Sequence, residues 1–244
     1  MAIEAALGLV IRGTDWSETS RITTLFTREF GKIRALAKGG RRLRSNFEVA
    51  FDLLTCCQIM VIRKHTGGLD LLTEAQVAER FPALRKDLTS LNVGYYIAEL
   101  LAEGTEDYDP HPALFDTALS ILRSLGSEGS DRLGLVSHFE LVWLKELGYS
   151  PRLDTCAICG AGVEAEGAAS FSSSAGGAIC GGCQSGVRDL QRLGADTWRT
   201  LRHLAGGGRE LLPGSRRDVR RILGQTVSYT LGRRPRLLAY VDSP

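Results

Sequence analysis

The chain has 244 residues, a net charge of +2, 43% hydrophobic residues and 24% charged residues. These values are typical of a globular protein and exclude intrinsic disorder, which requires low hydrophobicity and high net charge. The 28 glycines follow no three-residue period, which excludes collagen, and no apolar run is long enough to predict a transmembrane helix. Since no signal peptide is visible, we expect a soluble, cytoplasmic protein with no membrane partner.

The charge is distributed unevenly along the chain. Residues 1–80 carry a net charge of +3, residues 81–150 carry −6, residues 151–186 carry −2 and residues 187–244 carry +7. Basic ends around an acidic middle suggest that a polyanion binds the ends. The densest basic window, residues 28–44, holds seven basic residues and one acidic residue. A solvated surface would explain such a run, but here the basic residues lie beside strand patterns.

The first 80 residues predict five short β-strands. Apolar residues alternate with a period of two, or β-branched and aromatic residues cluster, at residues 5–12, 21–27, 32–38, 51–63 and 69–73. Five short strands in about 75 residues predict a small barrel. Among five-stranded barrels that bind nucleic acid, the oligonucleotide/oligosaccharide-binding (OB) barrel is the commonest, so it is the predicted fold of residues 1–80.

The third predicted strand separates apolar from basic side chains. Ile33, Ala35 and Ala37 point to one face, the basic residues point to the other, and a glycine-flanked basic loop follows. The predicted DNA-binding residues are the cations of this strand and loop: Lys32, Arg34, Lys38, Arg41, Arg42 and Arg44. The chain has few aromatic residues for base stacking, namely Phe26, Phe30 and Phe47, so we expect mostly electrostatic binding.

After Pro82 the hydrophobic period becomes helical. Three helices are predicted between residues 84 and 148, and two more after residue 187, with Asp196 and Ser215 as N-caps. The last helix has arginines four residues apart, which predicts a cationic outer face: Arg216, Arg217, Arg220 and Arg221. The predicted domains are a barrel at 1–80, a helical domain at 81–150 and 187–244, and an inserted metal module at 151–186.

Four of the six cysteines have the spacing of a metal site. Cys156 and Cys159 form one C-x2-C pair, Cys180 and Cys183 form a second, and 20 residues rich in glycine and serine separate the pairs. Zn²⁺ prefers four such thiolates in a tetrahedron, and a closed site of this kind is structural. We therefore predict one structural zinc per chain. Unrelated thiols, a redox pair or iron are the alternatives, and the adjacent Cys56 and Cys57 are predicted to be buried.

Several motifs, taken in order, resemble the RecO family of bacterial DNA repair proteins. They are Ser17-Glu18-Thr19-Ser20-Arg21-Ile22, Leu25-Phe26-Thr27-Arg28-Glu29-Phe30-Gly31-Lys32, Ala37-Lys38-Gly39-Gly40-Arg41-Arg42, Leu147-Gly148-Tyr149-Ser150-Pro151-Arg152-Leu153-Asp154 and the four cysteines. The resemblance implies an α+β, multidomain protein with an OB domain and a helical domain that contains a zinc module.

The same resemblance implies a non-catalytic recombination mediator of the RecF pathway, associated with the nucleoid. Such a protein binds single- and double-stranded DNA, anneals complementary strands, and helps to load recombinase together with RecR. It also binds single-stranded-DNA-binding protein, whose acidic tail we expect on the basic helical domain.

Two other classes of function stay open at the level of the sequence. One is a metal-dependent nucleic-acid enzyme that uses the four-cysteine module as a scaffold. The other is a protein–protein adaptor whose basic ends bind acidic segments. No phosphate-binding loop, G-x-S-x-G or H-E-x-x-H motif is present, so no enzymatic activity is expected.

Overall fold

The computed structural model describes residues 2–38, 47, 51–64, 68–163 and 169–242. The chain divides into two compact units, Met1–Ser127 and Glu128–Pro244. No helix in these described ranges is both long and apolar enough to cross a membrane.

The first unit begins with five strands that form a closed barrel. Their bounds are β1 Ile3–Asp15, β2 Arg21–Thr27, β3 Gly31–Ala37, β4 Cys56–Ile62 and β5 Asp70–Glu79. Around the barrel the order is β1-β2-β3-β5-β4. All neighbouring strands are antiparallel except β3 and β5, which pair in parallel. The predicted α+β class, with five N-terminal strands followed by helices, is confirmed.

The barrel core follows the predicted alternation on β3. Ile33, Ala35 and Ala37 are fully buried, and the intervening side chains point outward. The predicted fourth strand is shorter than its apolar run, because residues 51–54 form turns. Two aromatic side chains of this β3–β4 connection, Phe47 and Phe51, enter the barrel core and stack with ring centroids 5.4 Å apart.

Two helices of the first unit pack on the barrel: α1 Leu88–Gly104 and α2 Pro112–Leu125. The ring of Phe26 on β2 contacts that of Phe115 on α2, with centroids 6.3 Å apart. This grouping differs from the predicted domains, which placed both helices with those near the C-terminus. Periodicity identifies the apolar face of a helix but not its partner, which here is the apolar outer surface of β1 and β2.

The second unit combines helices with a three-stranded sheet. The helices are α3 Arg132–Glu146, α4 Ala195–Ala205, α5 Arg216–Thr230 and the single turn α6 Leu238–Val241. The strands are β6 Ala169–Ser172, β7 Gly177–Ile179 and β8 Gln191–Leu193, in the order β7-β6-β8. Phe171 of β6 is buried in the same core as Trp198 of α4. The sheet therefore extends past residue 186, the predicted end of the metal module.

The helix starts agree only in part with the predicted N-caps. Asp131 caps α3 by accepting a hydrogen bond from the backbone N–H of Gly134 at 3.2 Å. Asp196, by contrast, lies inside the first turn of α4, whose N-cap is Gly194. Ser215 occupies the N-cap position of α5, but its hydroxyl donates to the carbonyl of Leu212 at 2.7 Å.

The sequence predicted that Arg220 lies on a cationic outer face of α5, and this prediction is wrong. This side chain is buried, and its guanidinium forms a bidentate pair with the fully buried Glu140 on α3. It also donates to Ser137 at 3.1 Å and to Asp242 at 3.0 Å. A spacing of four residues aligns side chains along a helix, but it does not reveal that a carboxylate on another helix faces one of them.

Candidate metal centre and nucleic-acid surface

The four cysteines predicted to bind metal come together in the second unit. The sulfur atoms of Cys156, Cys159, Cys180 and Cys183 all lie within 4.8 Å of one another. The Sγ atoms of Cys159 and Cys180 are 3.6 Å apart. Zinc–sulfur bonds of about 2.3 Å in a tetrahedron separate the sulfurs by about 3.8 Å. The donor set and its spacing therefore fit a tetrahedral ion such as zinc.

Two tight turns aim the thiols at one point. In the first turn the N–H of Gly160 donates to the carbonyl of Cys156 at 2.9 Å. In the second, a short 3-10 turn at Gly181–Cys183, the N–H of Cys183 donates to the carbonyl of Cys180 at 3.0 Å. The C-x2-C spacing thus gives each pair of sulfurs a common direction, and the strands β6 and β7 between the pairs bring the two turns together.

The cluster also favours an ionised thiol. Backbone N–H groups of Cys159 and Cys180 hydrogen-bond to the sulfur of Cys156 and lower its pKa to about 6. Cys183 donates to the neighbouring sulfurs, which raises its pKa to about 12. A metal ion would bind the four sulfurs as thiolates, since the thiolate is the form that ligates. Because all four ligand positions would be protein sulfurs, such an ion has a structural and not a catalytic role.

Cys56 and Cys57 do not belong to this cluster. Both are buried, as predicted, and burial raises the pKa of Cys56 to about 12 and that of Cys57 to about 11. They are therefore neutral core side chains of β4.

The outer face of β1, β2 and β3 carries a row of polar and basic side chains. The strand register places Arg12 opposite Thr24, and Thr24 opposite Arg34. Residues two apart on a strand share a face, so Thr14 and Ile22 extend this surface in the next row. Together with Lys32, Ala102 and Asp107, these side chains line a groove of about 520 Å³.

Three cations of this face are available to a ligand. Arg12, Arg34 and Lys38 are exposed. In the part of the chain that the structure describes, no carboxylate pairs with any of the three. Two of them, Arg34 and Lys38, are among the predicted DNA-binding residues, whereas Arg12 lies outside the dense basic run, residues 28–44, from which those residues were predicted.

Lys32, also a predicted DNA-binding residue, has other partners. Its ammonium group donates to the carbonyls of Ala102 at 3.0 Å and Thr105 at 2.5 Å, and lies 3.4 Å from a carboxylate oxygen of Asp107. The side chain is only 13% exposed. It therefore anchors the end of α1 to the barrel. The remaining predicted residues, Arg41, Arg42 and Arg44, lie outside the described residues.

The aromatic residues considered for base stacking are not accessible. Phe26 and Phe47 are buried, and the guanidinium of Arg63 lies over the ring of Phe30 at 4.5 Å. Among the described residues of the first unit, two aromatic side chains are exposed: Tyr108, at 41%, whose hydroxyl donates to Asp70 at 2.9 Å, and Trp16, in the β1–β2 turn, at 65%. The sequence alone shows that Trp16 stands among polar residues, and this pattern predicts an exposed aromatic ring.

A second basic groove lies within the second unit. It has a volume of about 550 Å³ and lies along α5 and α6. Its lining includes the apolar side chains Leu133 and Leu238 and five arginines: Arg216, Arg217, Arg220, Arg221 and Arg234. Arg216 and Arg221 pair with Asp131 and Asp218 at 3.2 Å and 3.1 Å.

The fold and these sites define a barrel protein with a basic outer face and a four-thiol cluster on a separate unit. Comparison with known proteins specifies the family. The family model described as "Recombination protein O N terminal" matches residues 1–81, and "Recombination protein O C terminal" matches residues 85–239. The chain belongs to the RecO family of DNA repair proteins, which is a family of mediators and not of enzymes.

Individual relatives agree with this assignment. The chain is 36% identical to the DNA repair protein RecO of Rhodopirellula baltica, over 96% of this chain and 97% of the relative. It is 36% identical to RecO of Anaeromyxobacter sp. (strain K), over 96% and 94% of the two chains. RecO of Listeria monocytogenes is 34% identical over 82% and 76%. The resemblance found in the sequence is confirmed.

Proposed function

We propose that residues 1–80 form an OB-type barrel that binds DNA through the outer face of β1, β2 and β3. The observation that carries this proposal is the row Arg12–Thr24–Arg34, which crosses three strands and lines a groove. The carboxylate that also lines this groove, Asp107, pairs with Lys32, and in the described part of the chain it pairs with neither arginine. In OB barrels the face of strands 2 and 3 and the loop between strands 1 and 2 bind oligonucleotides. Arginine suits this task because its planar guanidinium contacts phosphate with two hydrogen bonds.

In the cell the protein would use this surface as a recombination mediator of the RecF pathway. The protein would bind single- and double-stranded DNA, anneal complementary strands, and load recombinase with the help of RecR and single-stranded-DNA-binding protein. Membership of the RecO family supports this role. The four-thiol cluster would hold one structural zinc ion, supported by the number of thiols and by the spacing of their sulfur atoms.

The DNA surface can be tested by the salt dependence of binding. A variant with Arg12, Arg34 and Lys38 changed to alanine should bind every DNA sequence more weakly. The slope of log K against log[salt] should fall by about 2–3, because each lost phosphate contact removes roughly 0.7–0.9 from it. A second variant, with Arg41, Arg42 and Arg44 changed to alanine, tests the predicted basic loop in the same way.

The control is a variant with the same loss of charge elsewhere. Arg188, Arg192 and Arg199 are exposed residues of the second unit, and changing all three to alanine lowers the net charge by the same amount. Its salt slope should equal that of the wild-type protein. If the control variant loses as much slope as the barrel variant, binding depends on overall charge and not on the barrel face.

The arginine-lined groove of α5 favours a second ligand, the acidic tail of single-stranded-DNA-binding protein. An acidic peptide with an apolar end would place carboxylates on Arg217 and Arg234 and apolar side chains against Leu133 and Leu238. Changing Arg217 and Arg234 to alanine should weaken binding of a labelled tail peptide, whereas excess oligonucleotide should not displace it. Full competition between peptide and DNA would contradict separate sites.

A further inference from the structure

Trp16 differs from the other tryptophans of the chain in its exposure. The chain has three tryptophans, and Trp143 and Trp198 are fully buried. Trp16 remains 65% exposed in the turn between β1 and β2. Tryptophan is enriched where proteins bind partners, because its large ring supplies contact area at a small cost in conformational entropy.

The turn that carries Trp16 is internally hydrogen-bonded. The backbone N–H groups of Trp16 and Ser17 both donate to the carbonyl of Ser20, at 3.1 Å and 3.2 Å. The N–H of Ser20 donates back to the hydroxyl of Ser17 at 3.1 Å, and Asp15 forms an ion pair with Arg21 at 3.5 Å. The backbone that presents the ring is thus ordered before any ligand binds, which lowers the entropic cost of binding.

Trp16 lies in the chain just beyond the β1 residues that line the basic groove. Arg12 and Thr14 are two residues apart on β1 and both line the groove. Trp16 follows at the same spacing, immediately after the strand ends at Asp15. At about 3.3 Å per residue, Arg12 and Trp16 are separated by about 13 Å of extended chain. The cation Arg12 and the exposed ring of Trp16 are therefore close enough along the chain to contact the same short stretch of DNA.

We propose that Trp16 is the stacking platform for an unpaired base of single-stranded DNA whose phosphates lie along Arg12 and Arg34. This inference rests on the proposed function of the barrel face. Stacking on an aromatic side chain is tolerant of sequence because every base has a π-face. In a duplex both faces of an interior base are already stacked, so the ring has no access to them. The cations of this surface can bind the phosphates of either single-stranded or double-stranded DNA. Stacking on Trp16 thus adds a preference for the single strand.

The experiment compares single strand with duplex in the full-length protein. The probes are a labelled oligothymidylate, longer than the 4–16 nucleotides that one OB barrel covers, and a duplex of the same length. Trp16→Ala should weaken binding of the single strand by about 5- to 160-fold, given the usual contribution of one stacked base. Binding of the duplex should change by less than about twofold. Trp16→Phe, which keeps a ring, should lie between the wild-type protein and Trp16→Ala.

Tryptophan fluorescence provides an independent measurement. Because Trp143 and Trp198 are buried, Trp16 is the fluorophore that a bound base can reach. Oligothymidylate should quench the emission of the wild-type protein, and this change should be absent from Trp16→Phe even though it still binds. The control is Tyr229→Ala, an aromatic residue of the second unit with 59% exposure, which should alter neither affinity nor quenching.

The outcomes separate the two proposals. If the wild-type protein binds neither probe, the proposed function fails and the stacking role fails with it. If the protein binds DNA but Trp16→Ala binds both probes as the wild type does, the stacking role alone is wrong and the proposed DNA surface stands. If Trp16→Ala weakens binding of the single strand and of the duplex equally, the result also contradicts stacking. An unchanged melting temperature of Trp16→Ala establishes that the variant is folded.

Discussion

The basic residues of this protein differ in their contacts: some pair with other residues of the protein, and others are exposed. Lys32 and Arg220 both belong to basic sequence patterns, yet each is committed to contacts inside its own unit. Arg12 and Arg34 are exposed on the barrel without a paired carboxylate in the described part of the chain. The sequence predicted which face of β3 each basic residue occupies, because strand alternation fixes direction. It did not predict the partners of Lys32 and Arg220: Ala102 and Asp107 are 70 and 75 positions from Lys32, and Glu140 is 80 positions from Arg220.

The buried pair of Arg220 and Glu140 gives a prediction of stability. Glu140→Gln should lower the free energy of unfolding of the second unit by about 3 kcal/mol, because it removes the charge that balances a buried guanidinium. Urea unfolding checks this result. The exposed Glu210→Gln on the same unit is the control and should have little effect. If Glu140→Gln leaves the free energy of unfolding unchanged, Asp242 alone balances the charge of Arg220.

His138 predicts a pH dependence of the second unit. Burial, with the nearby Arg209, lowers its pKa below the ordinary value of 6.5. The folded protein therefore holds His138 neutral, whereas the unfolded chain takes up a proton as the pH falls below about 6.5, and this uptake favours unfolding. The stability of the wild-type protein should fall relative to that of His138→Leu between pH 7.5 and pH 5.5. A constant difference over this range would contradict the assignment.

At the scale of elements, the cysteine turns were the most predictable part of the molecule. The spacing of Cys156, Cys159, Cys180 and Cys183 specifies two turns and a common ligand, and the four sulfurs do come together. The strands between the turns were not predicted, since residues rich in glycine and serine lack a hydrophobic period. Phe171 carries much of the packing there, and one aromatic residue does not identify its partner Trp198.

This element gives a prediction about metal. The purified protein should contain about one zinc per chain, and Cys156→Ser combined with Cys183→Ser should abolish it. The second unit should lose stability, because the binding free energy of such sites contributes to folding. Atomic absorption and thermal unfolding check both results. Cys57→Ala, which alters the barrel core, should keep its zinc, and full zinc content in the double variant would refute the site.

At the scale of the whole molecule, the division into units was the least predictable feature. The hydrophobic periods predict five helices, and the structure contains all five, α1 to α5. They do not predict that α1 and α2 pack on the barrel while α3, α4 and α5 share a core with the sheet beside the cysteines. Which surfaces meet depends on side chains far apart in sequence, such as Phe26 with Phe115.

The proposed location of bound DNA, on the outer face of β1, β2 and β3, can be measured directly. A single-stranded oligonucleotide containing iodouracil would be photo-crosslinked to the full-length protein, and the crosslinked peptides identified by mass spectrometry. We expect crosslinks within residues 12–38, foremost at Trp16, because an exposed ring beside the bound base reacts first. Crosslinks confined to residues 128–244 would contradict the claim and place the DNA site on the second unit.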